Sequence, residues 1–235
     1  MKTLAVFGAG PGLGQAVARR YAEGGYEIAL VARRRDVLES AADELRNVGA
    51  VAHVFTADLS DVEAVPTLVE QIRSAAGTVD AIYYAPTPEA GFVRAADLTA
   101  ASARAFMPLV FYTFVSLVQQ LLPPMLEQGD GAILTAQGAS TLHGLPGMSG
   151  PGPAQAAQRN YLQSLSAELV DTGVYVGMLY IGALIERSAF HSHVEQARAA
   201  GDDRDWGGSV DPDQLADLLW NMHRARRESE ASYPS

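Results

Sequence analysis

Short apolar runs alternate along the chain with longer segments of helical periodicity. The apolar runs are mostly apolar at every position, as expected for strands buried on both faces of a parallel sheet. Strands are predicted at residues 4–7, 27–31, 51–55, 79–84, 132–135 and 174–180. Helices are predicted near residues 13–23, 36–48, 61–75, 102–127 and 154–170. This alternation predicts an α/β fold with one doubly wound parallel sheet and helices on both faces.

Local signals mark the helix starts and the number of domains. Four polar residues are predicted to begin helices, because their side chains can cap free backbone N–H groups: Asp36, Asp61, Ser102 and Asp211. No repeat or linker divides the chain, so residues 1–235 are predicted to form a single domain. The C-terminal residues from Glu228 to Ser235 are polar, which leaves a seventh, edge strand in doubt.

Two segments interrupt the alternation of strands and helices. The segment from Gly138 to Pro153 is rich in glycine and proline, which excludes regular structure for most of its length. The segment from Gly182 to Val210 holds a short helical piece and then a polar run at residues 201–208, which we expect to be mobile. Both segments follow strands, and ligands of open α/β sheets bind at the carboxyl ends of strands. We therefore expect them to form the walls of a substrate cavity.

Composition narrows the class of protein. The chain is 48% hydrophobic and 19% charged, which favours a soluble globular protein, and its net charge of −10 argues against a nucleic-acid partner. It has no cysteine, which excludes disulfides and thiolate chemistry. The apolar stretch from Leu109 to Leu126 is interrupted by Ser116 and two glutamines, so no membrane span is predicted. The apolar run after Lys2 is too short for a secretory signal, and we expect a cytoplasmic protein.

A glycine-rich loop lies between the first predicted strand and the first helix. Gly8, Gly12 and Gly14 allow a tight turn and a close approach of backbone to a pyrophosphate at the helix N-terminus. Gln15 stands where a phosphate-binding Walker loop needs lysine, which excludes that motif. The alternative is a glycine-rich turn that binds nothing. The predicted phosphate-binding residues are Gly8, Pro11, Gly12, Leu13 and Gly14.

The end of the second strand predicts which dinucleotide is bound. Arg33 and Arg34 stand where an acidic residue would accept a bond from a ribose 2′-OH, and arginine instead pairs with a 2′-phosphate. The pair favours NADP(H) over NAD(H), unless it is only a solvated start to the next helix. Asp58 and Leu59 follow the third strand and are placed to meet the adenine, although Asp58 could equally cap the following turn.

With these motifs the chain resembles the short-chain dehydrogenase/reductase family over nearly its whole length. The G-x-x-x-G-x-G loop, Asp58-Leu59 and the helix that ends at Met125 carry the resemblance, together with the helix that ends Ser-Leu-Ser-Ala-Glu-Leu at Leu169. The resemblance implies a Rossmann-type sheet, an NAD(P)(H) cofactor and hydride transfer to or from a small molecule. It also implies pairing through the two long helices into a homodimer or homotetramer.

The resemblance also implies an Asn-Ser-Tyr-Lys tetrad, in which the tyrosine hydroxyl exchanges the substrate proton beside a cationic lysine. Counting from flanking landmarks puts these four positions at Val110, Gly138, Pro151 and Gln155, none of which supplies the required group. The single lysine of the chain is Lys2, so no Tyr-x-x-x-Lys motif exists anywhere. The chain therefore resembles a divergent branch of the family.

Three side chains are candidates to replace the lost catalytic groups. His143 follows the fifth strand and could act as acid or base, although a surface histidine is the simpler interpretation. Ser140 lies two residues past the expected serine, and Tyr84 ends the fourth strand beside the cofactor, where it or Tyr83 is expected to face the cavity. His191-Ser192-His193 could form a metal site with Glu186 and Glu195, but none is predicted, because the chain has no cysteine and we expect this segment to be mobile.

Three functions are open at this point. The first is a redox-silent NADP(H)-binding module, a pseudoenzyme that cannot carry out standard carbonyl or alcohol hydride transfer. The second is a working NADPH-dependent oxidoreductase with a reassigned proton donor. The third is a non-redox isomerase, dehydratase or cyclase that uses the same cavity. The sequence does not name the small-molecule ligand.

Overall fold

The computed structural model describes residues 1–88, 91–201 and 208–234. One sheet of seven strands, all parallel, runs through the described part of the chain. Its strands are β1 (Lys2–Phe7), β2 (Tyr26–Ala32), β3 (Ala52–Thr56), β4 (Ala81–Tyr84), β5 (Gly131–Gly138), β6 (Val174–Ile181) and β9 (Glu230–Tyr233). They are arranged in the order β3-β2-β1-β4-β5-β6-β9. A separate pair of short parallel strands consists of β7 (Leu184–Ile185) and β8 (Ser209–Val210). The predicted doubly wound sheet is confirmed.

Helices cover both faces of the sheet. They are α1 (Leu13–Glu23), α2 (Arg35–Asn47), α3 (Val65–Ala76), α4 (Ala100–Met107), α5 (Thr113–Gln128), α6 (Gly152–Glu168), α7 (Ala189–Ala199) and α8 (Pro212–Ala225). One apolar core lies between the sheet and α1, α2 and α8, and the other between the sheet and α3, α5 and α6. Because side chains on both faces of the central strands are buried in these cores, the strands are apolar at almost every position.

The helix starts agree with the sequence prediction at two of four positions. Asp61 accepts a hydrogen bond from the Ala64 amide and begins a short 3₁₀ turn, and Asp211 caps α8. Asp36 lies inside the first turn of α2, where a carboxylate favours the helix dipole without acting as the cap. Ser102 is also inside its helix. Its amide donates to Thr99 Oγ1 at 3.1 Å, so Thr99 is the cap of α4.

The doubt about a seventh strand was wrong, since β9 pairs in parallel with β6 from Met178 to Ile181. The polarity that argued against it is satisfied by side chains on α6. Arg159 donates to both carboxylate oxygens of Glu230, at 3.2 and 3.0 Å, and Gln163 donates at 2.9 Å. The Tyr180 hydroxyl also donates to Glu230 at 3.0 Å. Glu230 thus anchors the edge strand to the helix that covers it.

The two interrupting segments contain short regular elements. After Gly138, which ends β5, a 3₁₀ turn spans Ala139–Thr141, and α6 begins as early as Gly152. The segment from Gly182 to Val210 carries β7, α7 and β8. The predicted mobile run falls mostly on residues 202–207, which lie outside the described residues.

The long apolar helical run lies on the sheet. Ala100–Gln128 is long and apolar enough to cross a membrane by length and composition alone. In the structure it is divided into α4, a π-helical turn at Pro108–Tyr112 and α5. Phe114, Leu117 and Leu121 on its inner side are completely or almost completely buried in the core against β4, β5 and α3. Packing in the core accounts for the apolar side chains on this inner side, and 39% of the most apolar window of the run is buried.

A buried histidine in the last turn of α8 makes stability depend on pH. His223 Nδ1 is 2.9 Å from the Tyr21 hydroxyl, and its ring stacks on Tyr175 with the ring centroids 6.1 Å apart. Burial, helped by the charge of Arg226, lowers the pKa of His223 to about 4. The imidazole is therefore neutral in the folded protein at pH 7.

We predict that His223 makes the protein less stable as pH falls from 6.5 toward 4. In this range the unfolded chain takes up a proton that the folded chain does not, which favours unfolding. The free energy of unfolding should drop by about 2 kcal/mol between pH 7 and pH 5. Urea denaturation of wild type and His223→Phe at both pH values measures the effect, since the phenyl ring has no proton to gain. Equal pH slopes in the two proteins would contradict it.

Candidate functional site

The glycine-rich loop is held at the carboxyl ends of β1 and β2. The amides of Gly8 and Ala9 both donate to the Val31 carbonyl, at 3.0 and 3.1 Å. Gly8 has a φ of +99°, and a Cβ there would lie 2.9 Å from the backbone of Pro86, in the segment after β4. The loop is therefore fixed where β1 lies between β2 and β4 and where the order of strands changes direction. In open sheets this is the position of the ligand crevice.

The backbone N–H groups at the start of α1 are not capped by a side chain. The helix begins at Leu13 with no side-chain cap and no acidic residue in its first turn. Its free N–H groups and its dipole favour an anion at this point. A Cβ at Gly14 would lie 2.2 Å from the Gly8 carbonyl oxygen, so only glycine allows the helix to pack so closely on its own loop. Leu13 is buried in the core, and Pro11 is exposed at the tip of the loop.

We predict that Gly14→Ala lowers the free energy of unfolding by about 3 kcal/mol, because the added methyl group displaces rigid backbone. Gly10→Ala is the matched control. A Cβ at Gly10 meets nothing within 4 Å, so we expect a change of less than about 0.5 kcal/mol. Urea denaturation of both variants tests the pair. A Gly14→Ala protein as stable as Gly10→Ala would contradict the close packing.

The residues predicted to select the dinucleotide lie together beside the loop. Arg33 and Arg34 are exposed between β2 and the start of α2. Asp58 Oδ1 accepts hydrogen bonds from the Ser60 amide at 2.9 Å and the Ser60 hydroxyl at 2.7 Å. These bonds, with a further contribution from the charge of Arg33, hold the pKa of Asp58 below its ordinary value. Asp58 thus caps its own turn and faces Arg33, while Leu59 is buried.

The four positions that the family resemblance assigns to catalysis are on neighbouring elements. Gly138 ends β5, Pro151 immediately precedes α6, Gln155 is in the first turn of α6, and Val110 is buried in the π-helical turn. Gln155 Oε1 accepts a hydrogen bond of 3.2 Å from the Thr141 hydroxyl. These four side chains carry no ionisable group, so charge for proton transfer would have to come from elsewhere.

The Ser140 hydroxyl lies next to Gly138, the position that the family resemblance assigns to a serine, although Ser140 is two residues further along the chain. A Cβ at Gly138 would lie 3.4 Å from Ser140 Oγ and 4.0 Å from Gln155 Oε1. Because the chain turns into a 3₁₀ helix after Gly138, the Ser140 hydroxyl lies against the place that a side chain at Gly138 would occupy. Among the described residues, Ser140 Oγ is buried with no hydrogen-bond partner.

Two buried glutamines were missed by the sequence analysis. Gln158 Nε2 donates to the Val110 carbonyl at 2.6 Å, and Gln137 Nε2 donates to Gln158 Oε1. The π-helical turn frees backbone carbonyls from the regular α-helical pattern, and Gln158 binds the one at Val110. The only sequence signal was the presence of polar residues at otherwise apolar positions of β5 and α6.

The other two candidate catalytic residues differ in position, since His143 lies on the surface and Tyr84 contacts the same π-helical turn as Gln158. His143 is exposed in the loop that follows the 3₁₀ turn. The Tyr84 hydroxyl donates to the Leu109 carbonyl, and burial raises the pKa of its phenol. Tyr83 is also buried, because strands covered by helices on both faces have no side that opens to a cavity. Across residues 1–88, 91–201 and 208–234, no group of three His, Cys, Asp or Glu side chains is arranged to hold a metal.

The family model described as short chain dehydrogenase matches residues 2–196. This chain belongs to the short-chain dehydrogenase family. A fatty acyl-CoA reductase of Mycobacterium tuberculosis is 32% identical over 138 residues, covering 57% of this chain and 46% of the relative. A fatty acyl-CoA reductase of Acinetobacter baylyi is 27% identical over 183 residues, covering 77% of this chain and 61% of the relative. The chain therefore spans about half to two thirds of the length of these relatives.

Solved structures of low sequence identity share the fold. L-Sorbose reductase from Gluconobacter frateurii, complexed with NADPH and L-sorbose, superimposes with a TM-score of 0.85 at 22% identity. The alignment covers 99% of this chain and 94% of that one. Levodione reductase superimposes with a TM-score of 0.87 at 18% identity, over 99% of this chain and 95% of that one. The Rossmann-type fold is thus confirmed by comparison as well as by topology.

Proposed function

We propose that this chain is an NADP(H)-binding member of the short-chain dehydrogenase family that does not carry out standard carbonyl or alcohol hydride transfer. The observation that carries the proposal is a contrast between two halves of one site. The half formed by the glycine loop and Arg33 has the features that bind a phosphorylated dinucleotide. The half formed by Gly138, Pro151 and Gln155 lacks an acid and a cation.

The backbone of the first half fits the pyrophosphate of a dinucleotide. The uncapped start of α1 presents N–H groups to an anion, and no side chain at Gly8, Gly12 or Gly14 obstructs the approach. Arg33 and Arg34, both exposed at the end of β2, suit a 2′-phosphate. Two of the solved relatives were crystallised with NADPH or NADP, which supports the same choice of cofactor.

The second half of the site lacks the groups that the family uses for proton transfer. A tyrosine donates its proton efficiently near neutral pH only when a nearby cation lowers the pKa of its phenol. Lys2, the single lysine, lies on the first strand at the opposite end from the glycine loop, where it pairs with Asp130 at 2.6 Å. Gln155 can hold a nicotinamide ribose only through a neutral amide. The chain would bind the cofactor without an efficient acid.

We predict tight NADPH binding with no NADPH oxidation across a panel of aldehydes, ketones and fatty acyl-CoA thioesters. Calorimetry measures the binding, and absorbance at the NADPH band measures the oxidation. No binding of either dinucleotide at millimolar concentration would contradict the cofactor assignment. Sustained turnover would contradict the loss of catalysis, and a reaction that persists after the cofactor is stripped would indicate non-redox chemistry.

A working reductase is the second candidate, because the curated relatives include fatty acyl-CoA reductases and Ser140 offers a buried hydroxyl without a partner. The cofactor supplies hydride when bound, so a site without its acid keeps slow turnover, about 10²–10⁴-fold below an intact one. Ser140→Ala or His143→Ala would then abolish turnover while leaving NADPH affinity unchanged. In the protein that we propose, which has no turnover to lose, neither variant should change NADPH affinity.

We predict that Arg33→Ala weakens NADPH binding more than NADH binding, by about 1–3 kcal/mol, because one charged contact to the 2′-phosphate is lost. Arg35→Ala is the matched control. It lies in the same basic run and is also exposed, and its guanidinium is directed along α2 to Glu39, at 3.0 Å. Titration of both cofactors by calorimetry measures the difference. An equal loss of affinity for NADPH and NADH would show that Arg33 does not bind the 2′-phosphate.

We also propose that the protein is cytoplasmic and pairs with copies of itself through the outer faces of α5 and α6. Large apolar side chains support the pairing, since Tyr112 and Leu126 on the α5 side are 49% and 41% exposed. Exposed apolar groups along one helix are typical of an interface.

A further inference from the structure

Four charged side chains join the start of α7 to α1 and α8. Arg187 Nη2 lies 2.5 Å from Asp211 Oδ1 and 2.8 Å from Asp213 Oδ2. Arg19 Nη2, on α1, lies 2.9 Å from the other oxygen of Asp213. We call Arg19, Arg187, Asp211 and Asp213 the ionic cluster. It connects three elements that are distant in sequence.

Arg187 lies between β7 and α7 in an unfavourable backbone conformation. Its φ is +61°, in the left-handed region that residues with a Cβ rarely adopt. Such a conformation persists when surrounding contacts fix it. The backbone on either side of Arg187 is held by hydrogen bonds from the Glu186 amide to the Val210 carbonyl, at 3.0 Å, and from the Ser188 amide to the Ile185 carbonyl, at 3.3 Å. The guanidinium adds the two ion pairs, and the two arginines hold the pKa of Asp213 below its ordinary value against the opposing effect of burial.

The residue after Arg187 contacts the glycine loop. Ser188 caps α7 by accepting a hydrogen bond of 3.0 Å from the His191 amide. A Cβ at Gly12 would lie 3.0 Å from Ser188 Cβ and 3.2 Å from Ser188 Cα, so Ser188 packs tightly against the glycine loop. Gly12 immediately precedes α1, and α1 carries Arg19. Ser188 is thus linked to Gly12 in two ways. It contacts Gly12 directly, and it is connected to it through Arg187, the other residues of the ionic cluster and α1.

We propose that Arg187 is a positioning residue for the dinucleotide site, which holds Ser188 and the start of α7 against Gly12 through the ionic cluster. The inference rests on the proposed binding of NADP(H) at the glycine loop. The start of α7 then forms a fixed wall beside the pyrophosphate. When the cluster breaks, α7 moves away from the loop and bound dinucleotide is released faster.

The ion pairs of the ionic cluster are weak enough to break and re-form. The side chains are 35% to 51% exposed, so each ion pair is weak and is screened by salt. The pairs act together only while Arg187 keeps its left-handed conformation. The position of Ser188 should therefore depend on ionic strength, which a wall fixed by apolar packing would not.

Hydrogen exchange of the ligand-free protein tests the positioning without any cofactor. Arg187→Gln removes the charge, and Arg187→Gly removes it while suiting a φ of +61°. Asp213→Asn removes the partner. We expect all three to exchange faster than wild type at the amides of residues 184–191, by about fivefold. Arg198→Gln, which breaks only an exposed pair with Glu195 on the same helix, is the control and should exchange as wild type does.

NADPH binding to the same proteins tests the consequence for the cofactor. We expect the three variants to release NADPH about fivefold faster, with a melting temperature close to that of wild type. In 0.5 M NaCl the wild-type rate should approach that of the variants, while the variants change less. A role confined to general stability would shift the melting temperature and leave this salt difference unchanged.

Specific outcomes would overturn the inference. Wild-type exchange in Arg187→Gln would show that the ion pairs do not hold Ser188. Normal exchange in Arg187→Gly but not in Arg187→Gln would assign the effect to backbone conformation and not to charge. Faster exchange in the variants of a protein that binds no NADPH would contradict the proposed function, while supporting the positioning of Ser188.

Discussion

The contact between the first turn of α1 and the glycine loop before it determines how the elements meet at the carboxyl edge of the sheet. Gly14 lies so close to the Gly8 carbonyl that a methyl group has no room, and Gly8 in turn touches the backbone after β4. Three backbone segments therefore meet with no side chains between them. This close packing directs the free N–H groups of α1 toward the switch point between β1 and β4, and an anion is the partner that such a helix start favours.

The two ends of the site that this packing creates differ in charge. Around β2 and β3 the groups are charged and exposed, and Arg33 lies close enough to Asp58 to help lower the pKa of its carboxyl. Around β5 and α6 the corresponding groups are a glycine, a proline and amides. A dinucleotide needs charge at its phosphates, whereas carbonyl reduction needs a proton at the other end. This contrast between the two ends is the basis of the function that we propose, in which the dinucleotide is bound without standard hydride transfer.

The parts of the structure that follow from local pattern were predictable from sequence. Six strands and the glycine loop were found because periodicity and glycine spacing are local properties. The strand β9 was not, because the polarity of Glu230 is satisfied by Arg159, which lies 71 residues away in the chain. Similarly, the nearness of Ser140 to Gly138 depends on a turn into a 3₁₀ helix that spacing along a strand does not reveal. The interactions that were missed are those between side chains distant in sequence or across a turn.

Buried polar atoms without partners occur mainly along β5. Among the described residues, four side-chain atoms are in this state: Thr113 Oγ1, at the start of α5, and Thr135 Oγ1, Gln137 Oε1 and Ser140 Oγ, which are on or just after β5. Each such atom costs about 1–3 kcal/mol, a cost that a purely structural site would avoid by carrying apolar side chains. The neighbouring bond from Gln158 to the Val110 carbonyl shows that this core accommodates satisfied amides readily. The unpartnered atoms on or just after β5 therefore support the ligand-binding site that we propose at the carboxyl end of this strand.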